Sequence, residues 1–575
     1  MLLSYGALAL FANWPSWPGD PSRYRPGDLT GGVWDFAYAA QIILHGHSPF
    51  FTNYINYPLG ENLAESTPPL LLGLLSLPIT VLAGPIASLN FWLWFAFPIS
   101  AASVFFVLRR FGFSRWAAYV GGLVYGFSPY MNGQGSNHLN LVFMPLPPLI
   151  FLAAHRLFVA ERTQPLLAGS ALGALIACQF YINPEVAVTT LVLLPIGLLI
   201  LALARPRLAL ARVRRAGKGL VLGVFIAIAA VAYPVWYSQT GPQHFTGSLG
   251  SGLSADLLGT VVPTSIERFA PASIAHFGDR LVQGDTPENG SYLSIPILLL
   301  CGFVLIRYWR NRWVRFAAAM AFITVLLSLG GHLAVGGHVM NLLLPGRLIW
   351  DTPVLQGLAE VRFTVYIFFF VAVLLAVGID KCIARWQKAP RHRPILQVAA
   401  FAVVLLAGLV MLVPNWPYGV GPASVPSFFT TAAVRSIPQG STVLVSPYPS
   451  VAEVAPMLWQ AESAFRFRLL GGYVLIPGAD GTVSIYPDEL TPLDVYEFLY
   501  YEATTGSLPT GAPNMPKLAR DCRLFLRRNH VDVVISSGDV SNLPALQDLF
   551  TRALGPPNSA GGGLSIWYNV QKRVG

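Results

Sequence analysis

Charge is what this sequence has least of: Asp, Glu, Lys and Arg together make 11% of its 575 residues, against about 25% in an ordinary soluble domain. Hydrophobic residues make 54%. One buried core cannot absorb that surplus, because single cores stop growing at about 300 residues. Lipid must therefore be part of the solvent. A soluble enzyme, a disordered chain and a nucleic-acid binder are excluded as first readings. Cysteine is nearly missing too. Cys178, Cys301, Cys382 and Cys522 are scattered, with no CxxC pair, which removes a zinc ribbon and a disulfide framework. No Walker-type loop or GxGxxG fingerprint occurs, so nothing indicates a nucleotide site.

What is present is a series of apolar runs. Eleven lie near 2–14, 86–108, 116–131, 138–154, 166–182, 186–204, 219–237, 291–306, 316–330, 361–379 and 396–413. Hydrocarbon tolerates no unpaired backbone polar group, so these runs are expected to be helices. The net charge of +10 has a pattern: twenty basic residues sit in the segments 109–115, 156–162, 205–218, 307–315 and 381–393. These follow every second run, as cytoplasmic loops do. Leu70 to Ala83 is apolar as well, but counting it as a span breaks the alternation. With Pro68, Pro69 and Pro78 clustered there, it reads as a re-entrant or interfacial helix. The expected fold class is a polytopic α-helical membrane protein of about 11 spans, multi-pass in a bacterial plasma membrane.

From about Val425 the composition changes, with twelve of the 27 acidic residues in the last 151 positions. Ser441 to Ser446 and Val531 to Ser536 read as buried strands, and Leu564 to Val570 as an edge strand. Leu493 to Tyr501 and Lys517 to Asn529 read as amphipathic helices. The expected organisation is a transmembrane domain over 1–413 and an extracytoplasmic α/β domain over 425–575. Long outer loops are expected at 15–69, 238–290 and 331–360. Long structured loops usually bind something.

The first loop holds Asp20, Asp28 and Asp35, followed by His45, His47, Glu61 and Glu65. Val33 to Leu44 has an apolar stripe and reads as a helix lying on the membrane. Asp35 in its first turn is either a favourable N-terminal carboxylate or a general base; Asp28, in a Pro-Gly-Asp turn, stands under the same alternatives. Asn137 and His138 read as a helix cap or a ligand contact, and Glu185 as a paired or functional carboxylate near hydrocarbon. Arg280, Asp285 and Glu288 close the second loop. Asp285 and Glu288 are the candidates for a divalent ion, Mg2+ or Mn2+, although their spacing matches no calcium loop. Arg362 opens a late span against the positive-inside trend. It is expected either to hold a phosphate bidentately or to pair with Glu360 or Asp351. Trp34 is either a sugar-stacking face or part of an interfacial aromatic belt.

Several of these features recur in a fixed order. After a first span and an acidic loop come Thr67-Pro68-Pro69-Leu70, a span ending in Arg109-Arg110, Asn137-His138-Leu139, and a late outer segment before Arg362. This order resembles the GT-C superfamily of membrane glycosyltransferases. Glu288-Asn289-Gly290-Ser291-Tyr292-Leu293-Ser294-Ile295 and Arg362-Phe363 are similar to segments of its bacterial YfhO-like branch. The resemblance implies a polyprenyl-phosphate sugar donor, an envelope glycan or lipid acceptor, and surrounding membrane lipids as partners, with no nucleic acid. It also implies a catalytic acid in the first outer loop. Neither an Asp-Asp nor an Asp-x-Asp doublet occurs there, so Asp35 and Asp28 both stand. On the same resemblance Arg362 and Arg280 would hold the donor phosphate, with His138, Asn137, Glu185, Glu288 and Trp34 lining the substrate pocket. A non-catalytic envelope scaffold or glycan-binding protein and a lipid or solute transporter are the alternatives. The transporter reading expects charges deep inside spans, where this sequence has almost none.

Overall fold

Backbone groups in hydrocarbon must pair within their own segment, so each long apolar run has to close as a helix. The computed structural model describes all residues except 162–163, 248–252, 283–285, 351, 353–354, 356, 389–394, 486–492, 503–513 and 539–541. Among the described residues, five helices are long and apolar enough to cross a membrane: Pro85–Arg110, Leu139–Phe158, Pro184–Ala204, Pro206–Thr240 and Glu360–Gln387. Four shorter apolar helices, Leu2–Ala12, Pro165–Phe180, Ile295–Arg307 and Leu396–Met411, accompany them. The expected count of about eleven goes beyond these nine. The protein is a multi-pass membrane protein with a distinct C-terminal domain built on a mixed sheet.

The chain divides into two compact units. The first comprises Met1–Trp17, Phe91–Ala232 and Gly250–Gly419. At its centre lies the helix Thr364–Lys388, which is apolar on every side from Val365 to Val377, where every residue is buried. A helix with no polar face needs protein or lipid all round it; here Arg115–Gly126 and Arg312–Ser328 pack closest. Asp380 near its far end accepts the backbone N–H of Ser114 at 3.2 Å, and the Ser114 hydroxyl in turn caps the next helix at Ala117 N, 3.2 Å away. The apolar run 116–131 is not one span. It breaks after Gly126 because Ser128 caps a new helix, accepting from Met131 N at 3.3 Å, with Pro129 in its first turn.

The second unit gathers Pro18–Asn90, Tyr233–Leu249 and Val420–Gly575. Its five-stranded sheet runs in the order Ser559–Gly561, Leu564–Trp567, Val533–Ser537, Ser441–Ser446, Phe467–Leu469. The last three strands are parallel and the first two antiparallel. Leu564–Trp567 is not the edge strand that its alternation suggested, because the exposed strand Ser559–Gly561 folds back onto it. Helices Met515–Arg528 and Leu543–Leu554 bury Cys522, Phe525, Leu549 and Phe550 in the same core as Leu444 and Val534. The proline-rich segment Leu70 to Ala83 forms two short helices, Leu70–Leu75 and Leu77–Ala83. The break falls at Ser76, whose buried hydroxyl donates to Gly73 O at 3.0 Å.

Candidate functional site

In the first unit the charged centre is built around Arg362, in the short 3-10 turn Glu360–Phe363 ahead of the central helix. Its Nη1 donates to Glu185, while Nε and Nη2 both donate to Glu288 Oε1, at 3.0 and 2.6 Å. Glu185 stands in the first turn of Pro184–Ala204 and also accepts from Ala359 N at 3.0 Å. Glu288 is 2% exposed and takes a further bond from Gln134 Nε2 at 2.7 Å. A carboxylate only accepts, so Gln134 must turn its amide nitrogen to Glu288 and its oxygen to His138 Nδ1, 2.8 Å away. His138 therefore carries a proton on Nδ1. Burial alone would raise the Glu288 carboxyl, but the Arg362 guanidinium outweighs it and holds the group below the usual range. The Tyr130 hydroxyl is buried in the field of these charges and makes no hydrogen bond among the described residues.

Glycine lets this network form. Gln134 belongs to the segment Pro129–Asn137 (PYMNGQGSN), with His138 as its C-cap, and intrinsic propensity disfavours that segment as helix. A Cβ on Gly133 would lie 2.4 Å from Pro287 O, and one on Gly290 only 2.5 Å from Tyr130 Cα. The helix can thus lie directly on the Thr286–Glu288 turn, which brings Gln134 to Glu288.

In the second unit the candidate acid is Asp35, on the helix Leu29–His45. This helix was expected over 33–44 on the membrane surface, yet its apolar stripe is covered by protein: Val33, Trp34, Phe36 and Tyr38 are all buried. Trp34 donates to Gln460 Oε1 at 2.7 Å and stacks on Tyr38, with centroids 4.9 Å apart. It lines a narrow cleft together with Asp35, Tyr38, Leu63, Pro68 and Leu70. Gly73 closes one side, since a Cβ there would lie 2.7 Å from that of Ala39. Asp35 is half-buried and accepts no hydrogen bond among the described residues. Burial raises its carboxyl well above the ordinary range, and the charge of Glu61 raises it further. Glu61 itself is 5% exposed, accepts from Leu475 N at 3.3 Å, and is pushed up to about 7 by burial. Glu65 is likewise raised to about 7.

The other expected residues fall as follows. Asp28 is at the N-cap position of the Asp35 helix without capping it. Asn137 is half-buried and ends the Gln134 helix. Arg280 is exposed, and no described residue bonds its side chain. Asp285 and Asp351 lie outside the described residues. Arg362 pairs with Glu185 and Glu288, not with Glu360, which is buried with Oε2 unbonded. Among the described residues no cluster of three or more His, Cys, Asp or Glu could hold a metal ion. Residue-type reasoning missed Gln134 and Tyr130. The only available signal was the i, i+4 spacing of Gln134 and His138.

No protein-family model matches the chain, and no curated protein sequence matches it. Among solved structures the fold is similar to that of the arabinofuranosyltransferase AftD from Mycobacteria, in two classes of a mutant. The TM-scores are 0.53 and 0.50 at 14% and 13% identity, each covering 99% of this chain and 41% of that one. The chain thus spans less than half the length of AftD. ArnT from Cupriavidus metallidurans bound to undecaprenyl phosphate aligns at TM-score 0.48 and 11% identity, over 100% of this chain and 98% of that one. These likenesses do not single out the YfhO-like branch, and what the likeness to AftD shows is a shared fold alone.

Proposed function

We propose that the protein transfers a sugar from a polyprenyl-phosphate donor to an envelope glycan or lipid acceptor on the extracytoplasmic face of a bacterial plasma membrane. The observation that carries this reading is Asp35. It lines a narrow cleft of about 10 Å³, its carboxyl has no hydrogen-bond donor from the described residues, and its affinity for a proton is raised. A general base works best when its pKa approaches the working pH, and burial moves Asp35 in that direction. Asp35 takes the proton of an acceptor hydroxyl as that oxygen attacks the anomeric carbon. The bond from that carbon to the phosphate oxygen breaks, and the carbon inverts. Asp28 is the alternative base.

Arg362 is the proposed phosphate contact. A guanidinium has five N–H groups; three are bonded to Glu185 and Glu288, leaving one on each Nη. Asp35 and Arg362 lie in different units, and each role stands on its own unit's geometry. Among the described residues no acidic cluster offers a divalent ion a ligand set. The same three bonds favour a second reading, in which Arg362 is structural and the protein is a non-catalytic envelope scaffold.

The test is transfer of radiolabel from a panel of polyprenyl-phosphate sugars to envelope extracts, with the protein in lipid vesicles. Parent, Asp28→Asn, Asp35→Asn and Arg362→Ala are compared. Transfer lost in Asp35→Asn and kept in Asp28→Asn supports the assignment. Absence of both transfer and donor binding across the panel favours the scaffold.

A further inference from the structure

A groove of about 400 Å³ lies on the first unit between the helices Leu146–Phe158 and Pro165–Phe180. Its walls follow the helical period. Leu149, Leu152 and Arg156 come from one helix, and Gln164, Leu167 and Leu175 from the other or its first residue. The lining is apolar except at one end, where Arg156 and Gln164 stand. From Gln164 to Leu175 the wall is about 16 Å long at 1.5 Å per residue. That is half of the roughly 30 Å hydrocarbon core, the depth of one leaflet.

The same end is basic for a structural reason. Gly169 and Gly173 press against Gly219 and Gly223 of the helix Pro206–Thr240: a Cβ on Gly169 would sit 1.8 Å from Gly219 O, and one on Gly173 2.1 Å from Gly223 O. Small residues let membrane helices touch backbone to backbone. This contact carries Arg212 and Arg215 to the turn that joins the two groove helices. Arg215 Nη1 donates to Glu161 O at 2.8 Å and Nη2 to Ala160 O, while Arg212 lies 3.8 Å from the Glu161 carboxylate.

We propose that this groove binds an anionic phospholipid of the arginine-rich leaflet, with one acyl chain between the helices and the phosphate among Arg156, Arg212 and Arg215. Among the described residues, Arg156, Arg212 and Arg215 put a surplus of positive charge beside the single Glu161 carboxylate at this end, which matches an anionic head, and basic pockets between membrane helices hold such head groups. A zwitterionic lipid would fill the groove without using the arginines. An acidic polypeptide would use the arginines and leave the apolar walls empty. This site depends only on the membrane-spanning bundle and is independent of sugar transfer.

The experiment is native mass spectrometry of the full chain released from nanodiscs of equal phosphatidylglycerol and phosphatidylcholine. The parent retains phosphatidylglycerol in preference. Arg156→Gln with Arg212→Gln lowers that preference by about fivefold for each arginine, whereas Arg156→Lys keeps it. Ala171→Trp, which fills an exposed part of the wall, reduces retention of both lipids. Equal retention of the two lipids by the parent overturns the proposal. So does an unchanged preference in the double variant, or a retained phosphatidylglycerol signal in Ala171→Trp.

Discussion

Glu288 and Glu61 are both almost wholly buried carboxylates, 2% and 5% exposed, yet they are displaced in opposite directions. Burial acts on both alike, favouring the neutral acid. Glu288 has the Arg362 guanidinium at 2.6 Å and stays ionised. Glu61 has one backbone donor at 3.3 Å and a hydrogen bond with the Ser66 side chain but no cation acting on it among the described residues, and it holds its proton up to about 7. The Arg362 centre thus keeps a fixed, compensated charge array, and the cluster of Asp35 and Glu61 keeps carboxyl groups able to take up and release protons. Neither burial nor residue type separates the two cases; the presence of a cation does.

The largest expected effect lies on the uncompensated side. Asp35→Asn lowers transfer by about 10²–10⁴, the usual contribution of a general base, while the melting temperature is unchanged or higher because a strained carboxyl is gone. A radiolabel assay paired with thermal unfolding checks both. Next comes the compensated side. Arg362→Leu leaves Glu185 and Glu288 buried without their cation and destabilises the protein by about 3–5 kcal/mol. Adding Glu185→Gln and Glu288→Gln restores most of that loss in thermal unfolding; if it does not, the charges are not what the arginine offsets.

A smaller effect separates geometry from charge. Gly133→Ala pushes a methyl group onto Pro287 O and costs about 1–3 kcal/mol, as overpacking does, without altering any ionisable group. The smallest effect is on pH dependence. A carboxyl whose pKa is raised on folding binds more protons in the native state, so stability is greatest at acid pH and falls as pH rises from about 4.5 toward 7. Glu61→Gln removes its share of that decline, and its melting temperature above neutral pH exceeds the parent's by about 2–4 °C.

Much of the architecture was legible because hydrophobic period and chain entry signals are local. The strand Ser441–Ser446 matches its expected bounds, Val533–Ser537 is shifted by two residues at its start, and Met515–Arg528 was expected as a helix over 517–529. Basic turns marked the ends of apolar helices such as Pro85–Arg110 and Ile295–Arg307. The sites were less legible because they are assembled from distant segments. Arg362 finds its carboxylates 177 and 74 positions away, whereas the sequence offered Glu360 two residues off. The helix carrying Gln134 was invisible to propensity, since glycine, serine and asparagine disfavour helix; its close contact with Pro287 O is a tertiary effect. Asp35 was named as a candidate acid, but nothing local distinguished it from Asp28. Only burial and the neighbouring Glu61 do so.

The most direct test of this account is the initial rate of sugar transfer as a function of pH, in parent and Glu61→Gln protein reconstituted in vesicles. The account predicts a rate that rises with pH along a limb well above the ordinary carboxylate range, and that moves to lower pH when the Glu61 charge is removed. A limb at the same pH in both proteins, or transfer that persists in Asp35→Asn, would contradict it.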